Sequence, residues 1–370
     1  MIHQEIDNHQ QLLALLHKTK QPNHYAFQGL DFTLSDIPLI DHVFIDCLFL
    51  GCVLPKSLDD KQLEKSLIFP ALDVPFSTHP STLYTRETLL NNYSVGQPDT
   101  YTKTLDDIVY QHYLDKGKEA NSIHETLARR LHDHAITDAL HDFLAAYNEK
   151  KVIAIMGGHG LLRSDPSYKE VVIISKSLAE DDYLMVSGGG PGAMEATHVG
   201  AWLAGRPDEL IDEVIAILAQ APSYKDAHWL DKAFEVLARH PEPEQKESLG
   251  IPTWLYGHEP PTPFASKIAK YFANSVREDG LLTIAKGGII FSPGSAGTIQ
   301  EIFQDATQNH YLSFGYASPM VFLNKDYWIN ERPVYPLLES LAAQGKYENL
   351  ILSIYDDPND VIKEIKKFTD

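Results

Sequence analysis

Residues 152–160 read VIAIMGGHG, and this stretch decides the fold of the 370-residue chain. Five apolar residues bounded by glycines predict a strand buried on both faces, because parallel strands covered by helices show no polar alternation. A strand followed by a glycine cluster and a helical stretch returns at 183–190 and again at 288–294. Such repeated βα units predict an α/β protein, namely a Rossmann-like doubly wound parallel sheet.

Outward from these strands, helices and strands are expected to alternate up to the C-terminal helix. Helices are predicted at about 167–180, from 191, at 207–220, 225–239, 263–277, 297–311 and 334–343, and from 358. Further strands are predicted at 253–256, 320–323 and 350–355, and a polar loop at 241–244. Ligands of such sheets bind at the carboxyl ends of the strands, which is where all three glycine clusters fall.

Residues 1–148 show a different pattern and are predicted to form a mixed and helical N-terminal extension to a domain at 149–370. Between about residues 30 and 55, apolar residues and aspartates each recur every five positions: Leu34, Leu39, Phe44, Phe49 and Leu54, and Asp31, Asp36, Asp41 and Asp46. The pattern resembles the pentapeptide-repeat family, which implies a right-handed β-helix with inward-facing Leu or Phe. A Phe- and Leu-rich layer of strands and loops without a true repeat is the alternative. Ser122 and Glu125 then form a capping box before a helical segment.

The composition excludes several classes of function. There are 31 Lys and Arg against 51 Asp and Glu, a formal net charge of −20, so the chain repels phosphate backbones and no nucleic-acid partner is expected. Two cysteines are too few for a disulfide framework or a Cys₄ zinc site. The start lacks the pattern of a signal peptide, and the most apolar long window, 37–55, carries two aspartates and a histidine. We therefore expect a cytoplasmic protein with no membrane partner.

The turn after the third strand carries the most specific chemical pattern. Gly294, Ser295, Ala296, Gly297 and Thr298 lead into a helix in which Glu301 lies one turn further on. A glycine turn that opens a helix presents bare N–H groups and the positive end of the helix dipole to an anion such as phosphate. The alternative is a tight strand-to-helix turn with a solvated acid at 301, and the residues alone leave both open.

Other signatures are incomplete. The cluster at 188–192 is not a clean G-x-G-x-x-G, and no Gly-Lys-Ser/Thr follows any glycine loop, which argues against P-loop ATP hydrolysis. His134, Asp138 and His141 share a helix face but are interpreted as solvated helix polarity, so no metal is predicted. Lys286 lies in no pattern that supports pyridoxal phosphate. No cofactor is predicted.

The segment 291–301 resembles the P-G-G-x-G-T-x-x-E signature of the LOG ("lonely guy") family. The residues at 157–159, 190–196 and 259–263 are similar to its bacterial pyrimidine/purine nucleotide 5′-monophosphate nucleosidase branch. The resemblance spans about 151–330, roughly half the chain. It implies hydrolysis of nucleoside 5′-monophosphates to free base and ribose 5-phosphate, by a homodimer or larger homo-oligomer. The alternative function is a non-catalytic nucleotide- or cofactor-binding protein on the same fold.

The resemblance also assigns residues. Glu301 matches the catalytic glutamate, Arg277 is the nearest candidate for the family's functional arginine, and 294–298 match the phosphate-binding turn. Ser295 stands where the family has glycine, and Gln300 stands where many members have glutamate; the serine fits if its φ is negative. The residues predicted to line the ribose and base pocket are Gly158, His159, Ser187, Gly188, Gly189, Gly190 and Glu195.

Overall fold

The structure, a computed structural model, describes residues 3–34, 37–241 and 246–369. The chain divides into two compact units: unit 1 is Met1–Leu83 with His112–Asp142, and unit 2 is Tyr84–Gln111 with Phe143–Asp370. Asp36 of the predicted pentads and residues 242–244 of the predicted polar loop lie outside the described residues. Among the described helices, none combines the length and apolarity needed to cross a bilayer.

The strands and helices of the described residues have the following bounds. The strands are β1 (Gln4–Ile6), β2 (Tyr25–Gln28), β3 (Leu48–Leu50), β4 (Leu67–Phe69), β5 (Val152–Met156), β6 (Leu184–Ser187), β7 (Ser248–Gly250), β8 (Lys267–Ile268), β9 (Gly288–Phe291), β10 (Pro319–Leu323) and β11 (Ile351–Tyr355). The helices are α1 (His9–Lys18), α2 (Arg86–Leu89), α3 (Leu105–Asp115), α4 (Ile123–Leu144), α5 (Pro166–Glu180), α6 (Ala193–Leu203), α7 (Glu209–Leu218), α8 (Trp229–Arg239), α9 (Asn274–Ile284), α10 (Ala296–His310), α11 (Val334–Ala343) and α12 (Pro358–Thr369).

Unit 2 contains a seven-stranded parallel sheet in the order β11-β10-β9-β5-β6-β7-β8. The chain starts in the middle at β5, winds outward to β8, and returns to place β9 on the other side of β5. Ile153 therefore pairs with Met185 on one side and with Gly288 on the other. This order confirms the predicted Rossmann-like doubly wound sheet.

Helices cover both faces of this sheet, as alternate side chains of its central strands show. Ile290 and Val321 pack into the core cluster that contains residues of α5, α6 and α12. Their neighbours Phe291 and Phe322 lie 5.1 Å apart between ring centroids, and Phe322 also contacts Tyr335 of α11. Because successive side chains of a strand point to opposite faces, both faces of the sheet are shielded from water. This explains the unbroken apolar runs in the sequence.

Two short strands were missed around the second half of the sheet, and the elements predicted there are wrong. Residues 253–256 are not a strand: Trp254–Tyr256 form a 3₁₀ turn, in which the Thr253 hydroxyl accepts a 3.1 Å hydrogen bond from the Leu255 N–H. The strands are instead β7 and β8. The helix predicted at 263–277 begins only at Asn274, because β8 occupies part of its range.

Unit 1 contains a four-stranded parallel sheet in the order β1-β2-β3-β4. Gln4 pairs with Tyr25, Ala26 with Leu48, and Leu48 with Leu67, so the ladder advances by 21, 22 and 19 residues. An advance of this size matches coils of about four pentads. The core is aromatic and is built by Phe27, Phe32, Phe44 and Phe49, whose rings contact one another.

The pentad pattern predicts most of this core but not all of it. Leu39, Phe44 and Phe49 are buried, whereas Leu34 is 71% exposed. Phe32 is buried instead, two residues before Leu34, so the five-residue spacing of buried side chains begins only at Leu39. The prediction of an inward-facing Leu34 is therefore wrong.

Candidate functional site

The three glycine clusters follow the carboxyl ends of β5, β6 and β9. The winding direction changes between β5 and β9, and such a switch point is where open α/β sheets bind their ligands. The Gly158 N–H, after β5, donates a 3.0 Å hydrogen bond to the Pro293 carbonyl, after β9. The Ala193 N–H at the start of α6 donates to the Gly158 carbonyl at 3.2 Å. The structure thus brings the three loops together in one crevice.

The turn after β9 presents exposed backbone at the start of α10. Ser295, Ala296 and Gly297 are exposed, and the N–H groups of the first helical turn have no acceptor within the helix. Ser295 has a negative φ of −107°, which is the condition under which a serine fits at this position. Gly294 is different, because a Cβ at this position would overlap the Thr298 side chain. The turn therefore keeps its shape with serine in place of glycine at 295.

Glu301 lies one turn into α10, and its side chain is 14% exposed. Burial raises the pKa of the Glu301 carboxyl to about 7; the Arg277 guanidinium opposes this shift and the Glu278 carboxylate adds to it. A carboxyl group with a pKa near neutrality can hold or release a proton at physiological pH, as a general acid or base requires. The solvated acid that was the alternative at 301 does not fit this burial.

Arg277 of α9 is fixed between three segments of the crevice. Its Nη1 lies 3.7 Å from Glu301 Oε1, and its Nε donates a 2.8 Å hydrogen bond to the Ile251 carbonyl. A Cβ at Gly188 would overlap Arg277 Nη2, so the glycine after β6 makes room for the guanidinium. The arginine therefore sits against the second glycine cluster and beside the acid of α10.

Glu278 is a site residue that the sequence analysis missed. Its Oε2 accepts a 2.8 Å hydrogen bond from the Gln300 amide, and its Oε1 accepts one of 2.6 Å from Asn274 Nδ2. A glutamate at position 300 would face this carboxylate with a like charge. Gln300 is therefore matched to Glu278, and this pairing accounts for the departure from the Glu-Glu pattern.

His159 and Glu259 form a second group beside the glycine loops. His159 Nδ1 lies 3.6 Å from Glu259 Oε1, and the His159 ring meets the Tyr224 ring edge-on with centroids 5.9 Å apart. Glu259 also lies close to Gly190, where a built Cβ would be 3.7 Å from Oε2. Glu259 belongs to the 259–263 motif but had no predicted role, and nothing in the sequence pointed to Tyr224.

Glu195 and Ser187 are fully buried and have partners of their own. Both Glu195 oxygens bind the Arg163 guanidinium, at 2.7 and 2.5 Å, and Oε2 also accepts a 2.9 Å bond from the Tyr168 hydroxyl. Ser187 Oγ lies 2.8 Å from His198 Nε2 and accepts a hydrogen bond from the Gly189 N–H. Ser187 therefore fixes the glycine loop after β6, whereas Glu195 is engaged by Arg163 and Tyr168, and contact of either residue with a ligand stays a prediction.

A further buried acid was also missed. Asp305 lies one turn beyond Glu301 on α10, is 3% exposed, and its Oδ2 has no hydrogen-bond partner. Burial raises the pKa of Asp305 to about 8. The described part of α10 thus carries two carboxyl groups, four residues apart, that burial keeps largely protonated below neutral pH.

Comparison with protein-family models gives no match, and comparison with curated proteins gives none either. Similar solved structures include the molybdenum cofactor binding protein from the phototrophic bacterium Rippkaea orientalis, at 15% identity and TM-score 0.38 over 59% of this chain and 97% of that one. The Moco carrier protein from Chlamydomonas reinhardtii has 15% identity and TM-score 0.36 over 59% and 96%. The structural-genomics target TM1055 has 16% identity and TM-score 0.37 over 58% and 98%. At these values the fold assignment rests on the strand order and register of the chain itself.

Proposed function

We propose that the chain hydrolyses the N-glycosidic bond of nucleoside 5′-monophosphates to free base and ribose 5-phosphate. The observation that carries the proposal is the placement of Glu301: a buried carboxyl with a pKa of about 7, one turn inside a helix whose first turn is exposed, beside Arg277. The resemblance of 291–301 to the LOG signature supports the same reaction.

The turn at 294–298, which is exposed at Ser295, Ala296 and Gly297, binds the 5′-phosphate. The N–H groups of Ala296 and Gly297 and the dipole of α10 attract the dianion at the turn itself, despite the negative net charge of the whole chain. The phosphate is remote from the bond that breaks, so its binding energy positions the sugar for reaction. A nucleoside without the phosphate is accordingly a poor substrate.

Glu301 acts at the sugar. When the C1′–N bond breaks, the ribose gains oxocarbenium character and the departing base takes the bonding electrons. The Glu301 carboxylate stabilises this cation and removes a proton from the attacking water, whose oxygen forms the new bond to C1′. The proton then passes to the base nitrogen, so one water is consumed and no other co-reactant is needed.

Arg277 holds the acid in the form that the reaction requires. Its guanidinium favours the carboxylate of Glu301, against the burial that favours the protonated acid. The hydrogen bond to Ile251 and the contact with Gly188 keep this charge in place while substrate enters. Tyr224, His159 and Glu259 form the group that receives the base, through the flat ring of Tyr224 and the polar atoms of the other two.

The test is to incubate the purified chain with AMP, GMP, CMP and UMP and to measure ribose 5-phosphate. The matched control is Glu301→Gln, which keeps size and hydrogen-bonding capacity but removes the titratable group. We expect release with at least one nucleotide and a fall of about 10²- to 10⁴-fold in the variant. Equal release by both proteins, or none by either, would reject hydrolysis at this site. Size-exclusion chromatography of the same samples tests the proposed homodimer or larger homo-oligomer.

The second candidate is a non-catalytic nucleotide- or cofactor-binding protein. It is favoured by Gln300, whose amide is committed to Glu278 where many family members carry an additional acid. In that case a nucleotide binds in proportion to protein and is recovered intact after incubation. Recovery of free base instead would eliminate this candidate.

A further inference from the structure

The coils of unit 1 bring two histidines and an aspartate to one corner. Gln4 pairs with Tyr25 and Ala26 pairs with Leu48, so His3, His24 and Asp46 occupy the same position in three successive coils. His3 and His24 directly precede β1 and β2, and Asp46 lies two residues before β3. One potential ligand atom from each side chain lies within 4.8 Å of the other two. The stacking therefore gathers residues that are about 20 positions apart in sequence.

The existing contacts already orient these groups toward one another. His24 Nδ1 lies 2.9 Å from Asp46 Oδ2, and His3 Nε2 lies 2.9 Å from the Asp46 carbonyl. The His3 and His24 rings meet edge-on with centroids 5.9 Å apart. The His24 side chain is 23% exposed and the Asp46 side chain 48%, so the cluster is half-buried and open to solvent on the side of Asp46.

The backbone at this corner uses side chains where glycine would be easier. His24 and Asp46 have φ values of 60° and 49°, in the left-handed region. At the opposite ends of the same strands, Gly29 and Gly51 supply equivalent values of 62° and 63° without a side chain. Histidine and aspartate are among the side chains that tolerate left-handed backbone best, and Lys65 adopts φ 56° at the same position of the next coil, so the coils fix this backbone and the sequence places two potential ligands on it.

We propose that His3, His24 and Asp46 bind a divalent transition-metal ion of the zinc class. Two imidazoles and one carboxylate are a donor set that such ions accept, and ligand atoms lie about 3.3 Å apart around a tetrahedral ion with bonds of roughly 2.0 to 2.1 Å. The 2.9 Å between His24 Nδ1 and Asp46 Oδ2 is close to that value, and the third ligand atom lies within 4.8 Å of both residues' ligand atoms. The next coil offers Lys65, an exposed cation, at the same position, so the protein supplies three ligands and water completes the coordination.

Bound metal would add a link between three coils that are already joined at this corner by the hydrogen bonds from the Gln4 N–H to the His24 carbonyl and from the His24 N–H to the Ile45 carbonyl. Because the unfolded chain does not hold the three ligands together, binding stabilises the folded unit. The site lies wholly in unit 1 and is independent of the proposed hydrolysis in unit 2.

The experiment uses the full chain after removal of metal with a chelator, near pH 7.5. Zn²⁺ affinity is measured by competition with a chromophoric chelator, Co²⁺ coordination by visible absorption, and stability by thermal unfolding with and without Zn²⁺. The variants are His24→Asn and Asp46→Asn, because asparagine tolerates left-handed backbone. His17→Gln is the matched control, since His17 is exposed on α1 of the same unit.

We expect one Zn²⁺ per chain, a Co²⁺ absorption typical of low coordination number, and a rise in melting temperature on adding Zn²⁺. His24→Asn and Asp46→Asn each lower the affinity at least about 10-fold and abolish the rise, whereas His17→Gln keeps both. Equal affinity in His24→Asn and the unaltered chain, or no Zn²⁺ bound by the unaltered chain, would overturn the proposal.

Discussion

Glu278 accepts a 2.8 Å hydrogen bond from Gln300, one residue before the buried Glu301. The same carboxylate contributes to the raised pKa of Glu301, and the neighbouring Arg277 opposes it. Burial raises the pKa of Glu301, and the charges of Arg277 and Glu278 on α9 then shift it in opposite directions.

Glu278→Gln should move the pH dependence of hydrolysis. If Glu301 acts as a carboxylate, as proposed, kcat/KM rises with pH and levels off above about 7. Removing the Glu278 charge lowers the pKa of Glu301, so this rise shifts to lower pH. The measurement is kcat/KM across about pH 5 to 9 for both proteins.

The substrate phosphate also titrates in this range, with a second pKa of about 6. Its titration belongs to the nucleotide and is the same for both proteins, so only the Glu301 component shifts. A profile that moves to higher pH in Glu278→Gln would contradict the assigned role of Glu301.

Gly294→Ala and Ser295→Gly form a matched pair in the proposed phosphate-binding turn. A Cβ at 294 overlaps Thr298, so we expect Gly294→Ala to distort the turn and raise KM about tenfold or more. Ser295 has a negative φ, so Ser295→Gly should leave the melting temperature within about two degrees. Steady-state kinetics and thermal unfolding of both variants provide the comparison, and equal KM values would show that the turn does not hold the phosphate.

Arg163→Met should destabilise unit 2 strongly. It leaves the carboxylate of Glu195 buried without its cation, which typically costs about 3 to 5 kcal/mol. Adding Glu195→Met removes the buried, unpaired carboxylate, so the double variant should recover part of the lost unfolding free energy. Urea unfolding of the three proteins tests this. A double variant less stable than Arg163→Met would show that the charge of Glu195 is stabilised by other groups.

Asp305→Asn should change how stability depends on pH. Burial raises the pKa of Asp305 to about 8, so the folded state holds this proton more tightly than the unfolded state. Its contribution is complete near pH 4 and is lost as pH rises through about 8. We therefore expect the unfolding free energy of the variant, relative to the unaltered chain, to improve from about pH 5 to 8 and to level off above that, by an amount on the order of a few kcal/mol. A constant difference would mean that Asp305 is ionised throughout.

A fragment covering 149–370 should fail to fold stably, which tests the predicted domain boundary. The fully buried Lys270 forms its ion pair with Asp106, and Asp106 also accepts hydrogen bonds from Tyr101 and from Trp254. Removal of residues 1–148 leaves the ammonium of Lys270 buried without an acid, a strongly unfavourable state. The folding of the fragment is measured by circular dichroism and thermal unfolding. A cooperative transition like that of the full chain would support the boundary at 148/149.

The sequence predicts the central elements of unit 2 well and its edge poorly. Strand β9 and helix α11 have the predicted bounds, because a fully buried apolar run and a clear helical period leave few alternatives. Strands β7 and β8 have only three and two residues, and pairing with adjacent strands defines them. The local sequence therefore contains no pattern that predicts them. The aromatic residues at 254–256 favour a strand locally, but the hydroxyl of Thr253 caps a turn there.

The residues of the proposed site also differ in how well the sequence predicts them. Glu301, Arg277 and the turn at 294–298 could be identified because their motif is contiguous or follows the family's order. Glu278, Glu259 and Tyr224 could not, because their partners lie on separate elements and only the packing of unit 2 brings them together. Asp305 lay within the predicted helix, but its burial follows from the rest of unit 2.

The pairing of Ile153 with Gly288 also bears on biosynthesis. The edge of β5 that faces β9 stays unpaired until more than a hundred further residues have left the ribosome, which takes roughly 7 to 27 seconds at bacterial and eukaryotic elongation rates. During that time a strand of five apolar residues exposes unpaired backbone on the nascent chain. We expect this interval to be when the protein most needs a chaperone, and slowing translation before Gly288 should increase its aggregation.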